Sequence, residues 1–196
     1  MIFGSILCIG DSLTYGSRET YGRDYPFYLS EILSARHKQD WVAVAEGIPG
    51  ETSSELATRA YRTIRCYPEI FEVVILCGTN DAKDDVQTPE GVYSRNIEQI
   101  LRVCRVLKKK PYLCLIPDMR GFGAPDYSVR GMERIAEYNA TLEGIADDMD
   151  MPLVDLTGIS ERMYSDGVHL NAEGYMEIAE RVAAVIESER LFKGDE

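Results

Sequence analysis

The sequence predicts an α/β fold in which a parallel sheet is covered by helices on both faces. Five short apolar segments alternate with five longer segments whose apolar residues recur at helical spacing. The apolar segments are rich in branched residues, and the first three stop at turns that contain glycine. No repeat or low-complexity linker interrupts the alternation, so we expect residues 1–196 to form a single domain built on five parallel strands.

The predicted strands lie at residues 5–9, 41–45, 71–77, 112–116 and 152–156. Residues 71–77 form the most apolar of these segments, which predicts a central strand buried on both faces. The predicted helices cover residues 25–36, 52–66, 89–110, 132–149 and 172 to about 190. Residues 15–24 and 117–131 have no periodicity, and we expect these two long loops to determine specificity.

The charge balance of the chain is strongly acidic. It has 33 Asp and Glu residues against 21 Lys and Arg residues, a net charge of −12. An acidic surface repels nucleic acid, anionic membranes and polyanionic substrates, so none of these is an expected partner and neutral or cationic small molecules fit better. No apolar run approaches the about 20 residues of a membrane span, and the start of the chain shows no basic, apolar leader. These features predict a cytoplasmic protein.

Cysteines, histidines and clustered acids do not indicate a metal centre. The cysteines are odd in number, show no C-x-x-C pair and are predicted to be reduced, buried thiols: Cys8, Cys66, Cys77, Cys104 and Cys114. With only two histidines in the chain, a zinc site is not expected, and we place His37 at the surface. Asp81, Asp84 and Asp85 lack the spaced ligands and the glycine of a calcium loop. We interpret Asp84 and Asp85 as solvated loop charges.

Ser12 lies where the first predicted strand ends. Gly10, Asp11 and Ser12 follow the apolar strand abruptly, and the glycine allows a sharp turn there. A serine at the carboxyl end of a first parallel strand lies at the edge where open α/β sheets bind their ligands. The alternative is a plain turn in which Ser12 or Asp11 caps a helix.

Three further segments carry candidate functional residues after later strands. Gly50 precedes a helix, and it is either a flexible connection or part of a site where unpaired N–H groups bind a phosphate or an oxyanion. Asn80 follows the third strand and either offers its amide to a ligand or holds a turn. Asp166 and His169 lie in the loop before the last predicted helix.

These segments can meet in space because the carboxyl ends of parallel strands lie at one edge of a sheet. A serine hydroxyl needs a base within hydrogen-bond reach, and the imidazole of His169 is the candidate for Ser12. Asp166 can turn back to hold the other ring nitrogen and stabilise the imidazolium. The backbone N–H groups of Ser12 and Gly50 and the side-chain amide of Asn80 would then donate to a developing oxyanion.

The chain resembles the SGNH hydrolases, the superfamily of GDSL-type esterases and lipases. Four blocks carry the resemblance in order: G-D-S-L at 10–13, the glycine at 50, G-T-N-D at 78–81 and D-G-V-H at 166–169. The resemblance implies Ser12 as nucleophile, His169 as base and Asp166 as its orienting partner. It further implies Gly50 and Asn80 as oxyanion donors, a flavodoxin-like three-layer α/β/α sandwich with a five-stranded parallel sheet, and no cofactor or metal.

Two positions depart from the pattern of that superfamily. Ala45 stands where the second block often begins with Asn, and Glu51 stands where Asp is frequent. A hydrogen bond that the missing Asn would give to the turn around Gly50 must therefore be supplied otherwise. Thr14 occupies the last position of a G-x-S-x-G pattern, so the nucleophile elbow of the α/β-hydrolases is absent.

The constellation predicts a serine ester hydrolase that acts through an acyl-enzyme. Because the net charge disfavours anionic lipid surfaces, we expect small acyl groups, such as acetyl, on neutral alcohols or carbohydrates, with a lysophospholipase or thioesterase as the alternative. A flavodoxin-like module that binds a phosphate or nucleotide without chemistry is a second class, but the chain contains neither G-x-G-x-x-G after its first strand nor G-x-x-x-x-G-K. A more distant alternative is a glycosidase that uses Asp11 and Asp166, but Ser12 would then have no catalytic role. Substrate-binding residues and oligomeric state do not follow from the sequence.

Overall fold

The protein is built on a five-stranded sheet in which every strand is parallel to its neighbours. The computed structural model describes residues 2–19, 21–119 and 128–191. The strands are β1 (Ile2–Gly10), β2 (Asp40–Gly47), β3 (Glu72–Leu76), β4 (Lys110–Cys114) and β5 (Leu153–Val154), in the spatial order β2-β1-β3-β4-β5. This is the flavodoxin-like strand order, so the predicted fold class is confirmed.

Helices connect the successive strands. In the described ranges they are α1 (Ser12–Tyr15), α2 (Tyr25–His37), α3 (Ser53–Arg65), α4 (Glu90–Val106), α5 (Val129–Met149) and α6 (Ala172–Leu191), with single 3₁₀ turns at Asn80–Ala82 and Glu161–Met163. The start of α3 is fixed by a capping box, in which the carboxylate of Glu55 accepts from both the backbone N–H and the hydroxyl of Thr52 at 2.8 Å. This cap ends the turn that carries Gly50.

The helices cover both faces of the sheet because side chains alternate along each strand. On β1, Leu7 and Ile9 face an apolar core shared with α3, α4 and α5. Ile6 and Cys8 face the opposite core, which is shared with α2 and α6. Every residue of β3 is buried, as predicted for a central strand. The result is the three-layer α/β/α arrangement.

The carboxyl ends of β1, β2 and β3 are level with one another. Gly10, at the end of β1, is paired with Gly47 of β2 and with Leu76 of β3. The chain first places β2 on one side of β1 and then places β3 on the other side. Open α/β sheets bind ligands at such a switch point, because the connections on its two sides diverge and leave a crevice. The turns after these three strands therefore face one crevice.

Several local features differ from the sequence prediction. The segment after β1 continues into α1, a four-residue helix that is too short to produce a periodic pattern. Asp84 is not merely a solvated loop charge, since its carboxylate accepts from the backbone N–H and the hydroxyl of Ser128 at the start of α5, both at 2.8 Å. That helix begins at Val129 rather than at residue 132. Residues 120–127 of the predicted loop 117–131 lie outside the described residues.

The other expectations about single residues are mostly met. All of the cysteines are free, and four are buried as predicted, whereas Cys66 after α3 is exposed. His37 lies at the surface, where its Nε2 is 3.0 Å from a carboxylate oxygen of Glu187. No described helix combines the length and the apolar character that crossing a membrane requires.

Candidate active site

Ser12 is the first residue of α1 and is separated from the end of β1 only by Asp11. The carboxylate of Asp11 caps this helix by accepting from the N–H of Leu13 at 2.9 Å. Gly10 cannot be replaced without moving the chain, since a Cβ there would lie 2.0 Å from the carbonyl oxygen of Leu76. The tight passage from strand to helix leaves Ser12 only 4% exposed while it still lines a cavity.

His169 brings its imidazole to Ser12 from the loop before α6. Its Nε2 is 3.1 Å from the Oγ of Ser12, which is hydrogen-bond distance. Its Nδ1 faces the carboxylate of Asp166, at 3.0 Å from one oxygen and 3.2 Å from the other. A hydroxyl that contacts an imidazole, whose other nitrogen faces a carboxylate, can lose its proton as it attacks an electrophile.

The carboxylate of Asp166 is held in place by the backbone of its own loop. Its Oδ1 accepts from the N–H groups of Val168 at 2.9 Å and of His169 at 2.7 Å. Burial on its own would raise the pKa of Asp166, but these two hydrogen bonds and the facing imidazole hold that pKa below the ordinary value. The carboxylate therefore stays ionised, and the Nε of Arg18 lies 3.4 Å from its other oxygen.

Gly50 and Asn80 approach the same crevice from the turns after β2 and β3. Gly50 is exposed and has a φ of 83°, a conformation that glycine adopts without strain. The turn is pinned to β1 by a hydrogen bond of 2.9 Å from the N–H of Ile48 to the carbonyl oxygen of Gly10. The amide of Asn80 donates to the carbonyl oxygen of Glu51 at 2.9 Å. Because an amide nitrogen carries two hydrogens, Asn80 keeps one donor for a ligand.

Arg59 of α3 is a site-supporting residue that the sequence reasoning missed. Its guanidinium pairs with Glu51 and also donates to the backbone ends of β1 and β2. The sequence carries a signal for it, because Arg59 is three residues after Leu56 and one before Ala60, and both of these are buried. A charged residue on the apolar face of a helix needs a partner, and here the partner is Glu51.

Acidic side chains are buried beneath the site. Asp11 is fully buried, and burial raises its pKa to about 7, although the N–H of Leu13 opposes the shift. Burial also raises the pKa of Asp81, whose carboxylate accepts from the N–H of Ser53 at 2.8 Å and from its hydroxyl at 2.6 Å. These two carboxyl groups accept hydrogen bonds from the helix starts beneath the site and do not line the cavity. In the part of the chain that the structure describes, no His, Cys, Asp and Glu residues are grouped so as to hold a metal ion.

One open cavity of about 910 Å³ contains all five residues that the sequence singled out. It is lined by Ser12, Tyr15, Gly16, Ser17, Arg18, Glu19, Gly22, Asp24, Ala45, Pro49, Gly50, Asn80, Lys83, Asp166, Val168 and His169. The loop 15–24 supplies much of this lining, and its role in specificity stays a prediction. The structure therefore brings together the four separate blocks of the sequence.

Comparisons with known proteins identify a family for the chain. The sequence profile of the GDSL-like lipase/acylhydrolase family matches residues 8–176. An acetylxylan esterase of Xylanibacter ruminicola is 24% identical over 211 aligned positions, which cover 92% of this chain, but the chain spans only 42% of that enzyme's length.

Solved structures share the fold at low sequence identity. A lipase/acylhydrolase from Enterococcus faecalis superposes with a TM-score of 0.83 at 21% identity, over 95% of this chain and 96% of that one. A carbohydrate acetylesterase from Sinorhizobium meliloti gives 0.80 at 18% identity, over 94% and 99% of the two chains. A catalytic mutant of an acetylxylan esterase from Geobacillus stearothermophilus gives 0.77 at 20% identity, over 94% of each chain. Since the family profile spans most of the sequence, the chain belongs to the GDSL-like lipase/acylhydrolase family.

Proposed function

We propose that the protein is a serine ester hydrolase that acts through an acyl-enzyme on small, acetyl-like esters of neutral alcohols or carbohydrates. The observation that carries the proposal is the contact of 3.1 Å between the Oγ of Ser12 and the Nε2 of His169. That imidazole is held from its other side by Asp166. The proposal takes residues 1–196 as one hydrolase domain.

In the first half of the reaction, the hydroxyl oxygen of Ser12 attacks the ester carbonyl while His169 takes its proton. The negative charge that develops on the carbonyl oxygen accepts hydrogen bonds from the backbone N–H groups of Ser12 and Gly50 and from the amide of Asn80. Collapse of the tetrahedral intermediate breaks the bond to the alcohol, which leaves with the proton from His169. The acyl group remains on Ser12.

In the second half, water replaces the alcohol. His169 takes a proton from the water as its oxygen attacks the acyl carbonyl, and it returns that proton to Ser12 when the carboxylic acid leaves. Asp166 keeps the imidazole in the required orientation and stabilises the imidazolium that forms in both halves. Because its pKa is lowered, Asp166 is ionised throughout the neutral pH range.

The lining of the cavity supports a small acyl group. Among the described residues, the aliphatic side chains that line it are Ala45, Pro49 and Val168, which is little surface for a long acyl chain. The remaining side chains are mostly polar or charged and suit an alcohol part with several hydroxyl groups. The printed names of the relatives, acetylxylan esterase and carbohydrate acetylesterase, support the same choice.

Hydrolysis of para-nitrophenyl esters from acetyl to long-chain acyl tests the proposal. We expect the wild type to prefer the shortest chains and Ser12→Ala to lose on the order of 10⁴-fold or more in kcat. Ser54→Ala, at an exposed serine of α3, is the matched control and should behave as the wild type. If Ser12→Ala retained its activity, Ser12 would not be the nucleophile. An optimum at long acyl chains would replace the acetyl-ester assignment by a lysophospholipase or thioesterase.

A further inference from the structure

Tyr15 is an exposed aromatic residue beside the nucleophile. It is 60% exposed and lines the cavity that contains Ser12 and His169. It is the last residue of α1, three positions after Ser12. Helical residues at this spacing are neighbours on one face, with their Cβ atoms about 5–6 Å apart. The two side chains therefore start from the same face of α1, and both line the cavity.

The backbone of Tyr15 is fixed, although its side chain is open to solvent. Its N–H donates to the carbonyl oxygen of Asp11 at 3.1 Å. Gly47 of β2 packs directly against it, since a Cβ on Gly47 would lie 2.4 Å from that nitrogen. The point at which the side chain leaves the backbone is thus fixed, while the ring stays exposed to solvent. Such a residue can bind a flat apolar face at a low cost in conformational entropy.

The surroundings of the ring are polar rather than apolar. Lys83 lines the same cavity, and its ammonium makes no hydrogen bond or ion pair with any described residue. Arg18 extends into solvent next to Asp166. A pyranose ring presents C–H groups on its faces and hydroxyl groups around its edge, so it matches an aromatic face with polar groups around it.

We propose that Tyr15 is a stacking platform for the pyranose ring that carries the ester, which makes the alcohol part of the substrate a neutral acylated sugar. The inference rests on the proposed function, because it places the ester of that sugar at Ser12. Lys83 donates to hydroxyl groups at the edge of the same ring. The acidic protein thereby recognises a neutral carbohydrate through shape and hydrogen bonds rather than through charge.

The test compares two esters in variants of Tyr15. One ester is an acetylated xylo-oligosaccharide, and the other is ethyl acetate, which has no ring that could stack. We expect the ratio of the two kcat/KM values, sugar over ethyl acetate, to fall about tenfold in Tyr15→Ala and Tyr15→Leu, mainly through KM. The ratio should be kept in Tyr15→Phe. Tyr61→Ala, at a tyrosine of α3 that is 47% exposed and lies outside the cavity, is the control and should leave the ratio unchanged.

A binding measurement separates this inference from the proposed reaction. Calorimetric titration with the deacetylated xylo-oligosaccharide needs no hydrolysis, and we expect Tyr15→Leu to weaken its Kd about tenfold relative to the wild type and to Tyr15→Phe. If the wild type hydrolyses neither ester, the proposed function fails and the titration alone decides on the platform. If the esters are hydrolysed with the same ratio in every Tyr15 variant, or if the oligosaccharide binds all variants equally, the platform is wrong and the hydrolase assignment stands.

Discussion

Arg59 holds the carboxylate of Glu51 with two hydrogen bonds, from Nε to one oxygen at 2.5 Å and from Nη2 to the other at 2.7 Å. The same Nη2 lies 2.8 Å from the carbonyl oxygen of Glu46 and 3.2 Å from that of Gly10. One side chain therefore ties the ends of β1 and β2 to the turn that carries Gly50. The turn around Gly50 is thus supported from α3, whereas the pattern of the superfamily would have an asparagine at the position of Ala45 support it.

This pairing predicts a loss of both activity and stability when its geometry changes. Removal of one partner of a buried ion pair leaves the other uncompensated, so Arg59→Ala should lower the free energy of unfolding by about 3–5 kcal/mol. Arg59→Lys keeps the charge but not the planar fork, and we expect kcat to fall by about tenfold with little change in KM, because the turn at Gly50 moves. Arg62→Lys, at an exposed position on the same helix, is the control. Equal kcat and equal urea midpoints for the two Lys variants would contradict the role of the pair.

Gly47 of β2 packs against the backbone of α1, the helix that carries Ser12, so a larger residue at this position should displace the nucleophile. A Cβ at this position would lie 2.4 Å from the nitrogen of Tyr15 and 2.6 Å from the carbonyl oxygen of Asp11, and both are backbone atoms that cannot rotate away. Gly47→Ala should therefore push α1 outwards, lower the free energy of unfolding by about 1–3 kcal/mol and reduce kcat as Ser12 moves from His169.

The matched control for that substitution is Gly144→Ala. Gly144 lies within α5, and nothing is within 4 Å of the place that its Cβ would take. Alanine is the better helix former, so we expect this variant to gain about 0.5–1 kcal/mol with unchanged kcat. The unfolding temperatures of the two variants should thus move in opposite directions, and steady-state kinetics should show a loss of kcat in Gly47→Ala alone. A Gly47→Ala protein as stable and active as the wild type would show that α1 tolerates the displacement.

Local patterns were sufficient to predict the strands and the ends at which the site forms. Residues 71–77 are apolar without interruption and stop at a glycine, so the position of Asn80 at the sheet edge followed from the chain itself. The partners of Arg59 could not be predicted in this way, because Glu46 and Gly10 are 13 and 49 residues away along the chain. The same applies to Asp84, whose partner Ser128 is 44 residues away. Such contacts depend on how the turns pack, which periodicity does not describe.

Asn80 is expected to affect catalysis more than stability. Its amide already donates to Glu51, and only its second hydrogen is available to an oxyanion. We expect Asn80→Ala to lower kcat by about 10²–10³-fold, as the loss of an oxyanion donor does, with a much smaller change in KM.

Asn139 provides the structural comparison for Asn80. It is also buried, and its amide group bonds to the N–H and the carbonyl oxygen of Ile116 at 2.8 and 2.9 Å. Asn139→Ala should therefore lower the free energy of unfolding by about 1–3 kcal/mol with little effect on kcat. If Asn80→Ala lost stability but kept its kcat, its amide would have only the turn-holding role that the sequence left open.

The buried carboxyl of Asp11 predicts an unusual dependence of stability on pH. Burial raises its pKa from the ordinary 3.8 to about 7, against the opposing hydrogen bonds from Leu13 and Thr79 and with a smaller contribution from the charges of Asp81 and Glu51. Between about pH 4 and pH 7 the folded protein thus binds a proton that the unfolded chain releases, so this group's contribution to stability is lost as the pH rises through that range. Above about pH 7 the loss of stability caused by the buried, ionised carboxylate stays constant, at a few kcal/mol at most.

Asp11→Asn removes this titration but keeps an oxygen that can accept from the N–H of Leu13. The difference in the free energy of unfolding between the variant and the wild type should therefore favour the variant more at pH 8 than at pH 5. Urea unfolding of both proteins at the two pH values measures the difference, and Asp81, whose pKa burial also raises, cancels because both proteins contain it. Asp147→Asn, at an exposed position of α5, controls for the change in net charge. An equal stability difference at pH 5 and pH 8 would mean that Asp11 is ionised over the whole range, with its second oxygen satisfied by Thr79 or by water.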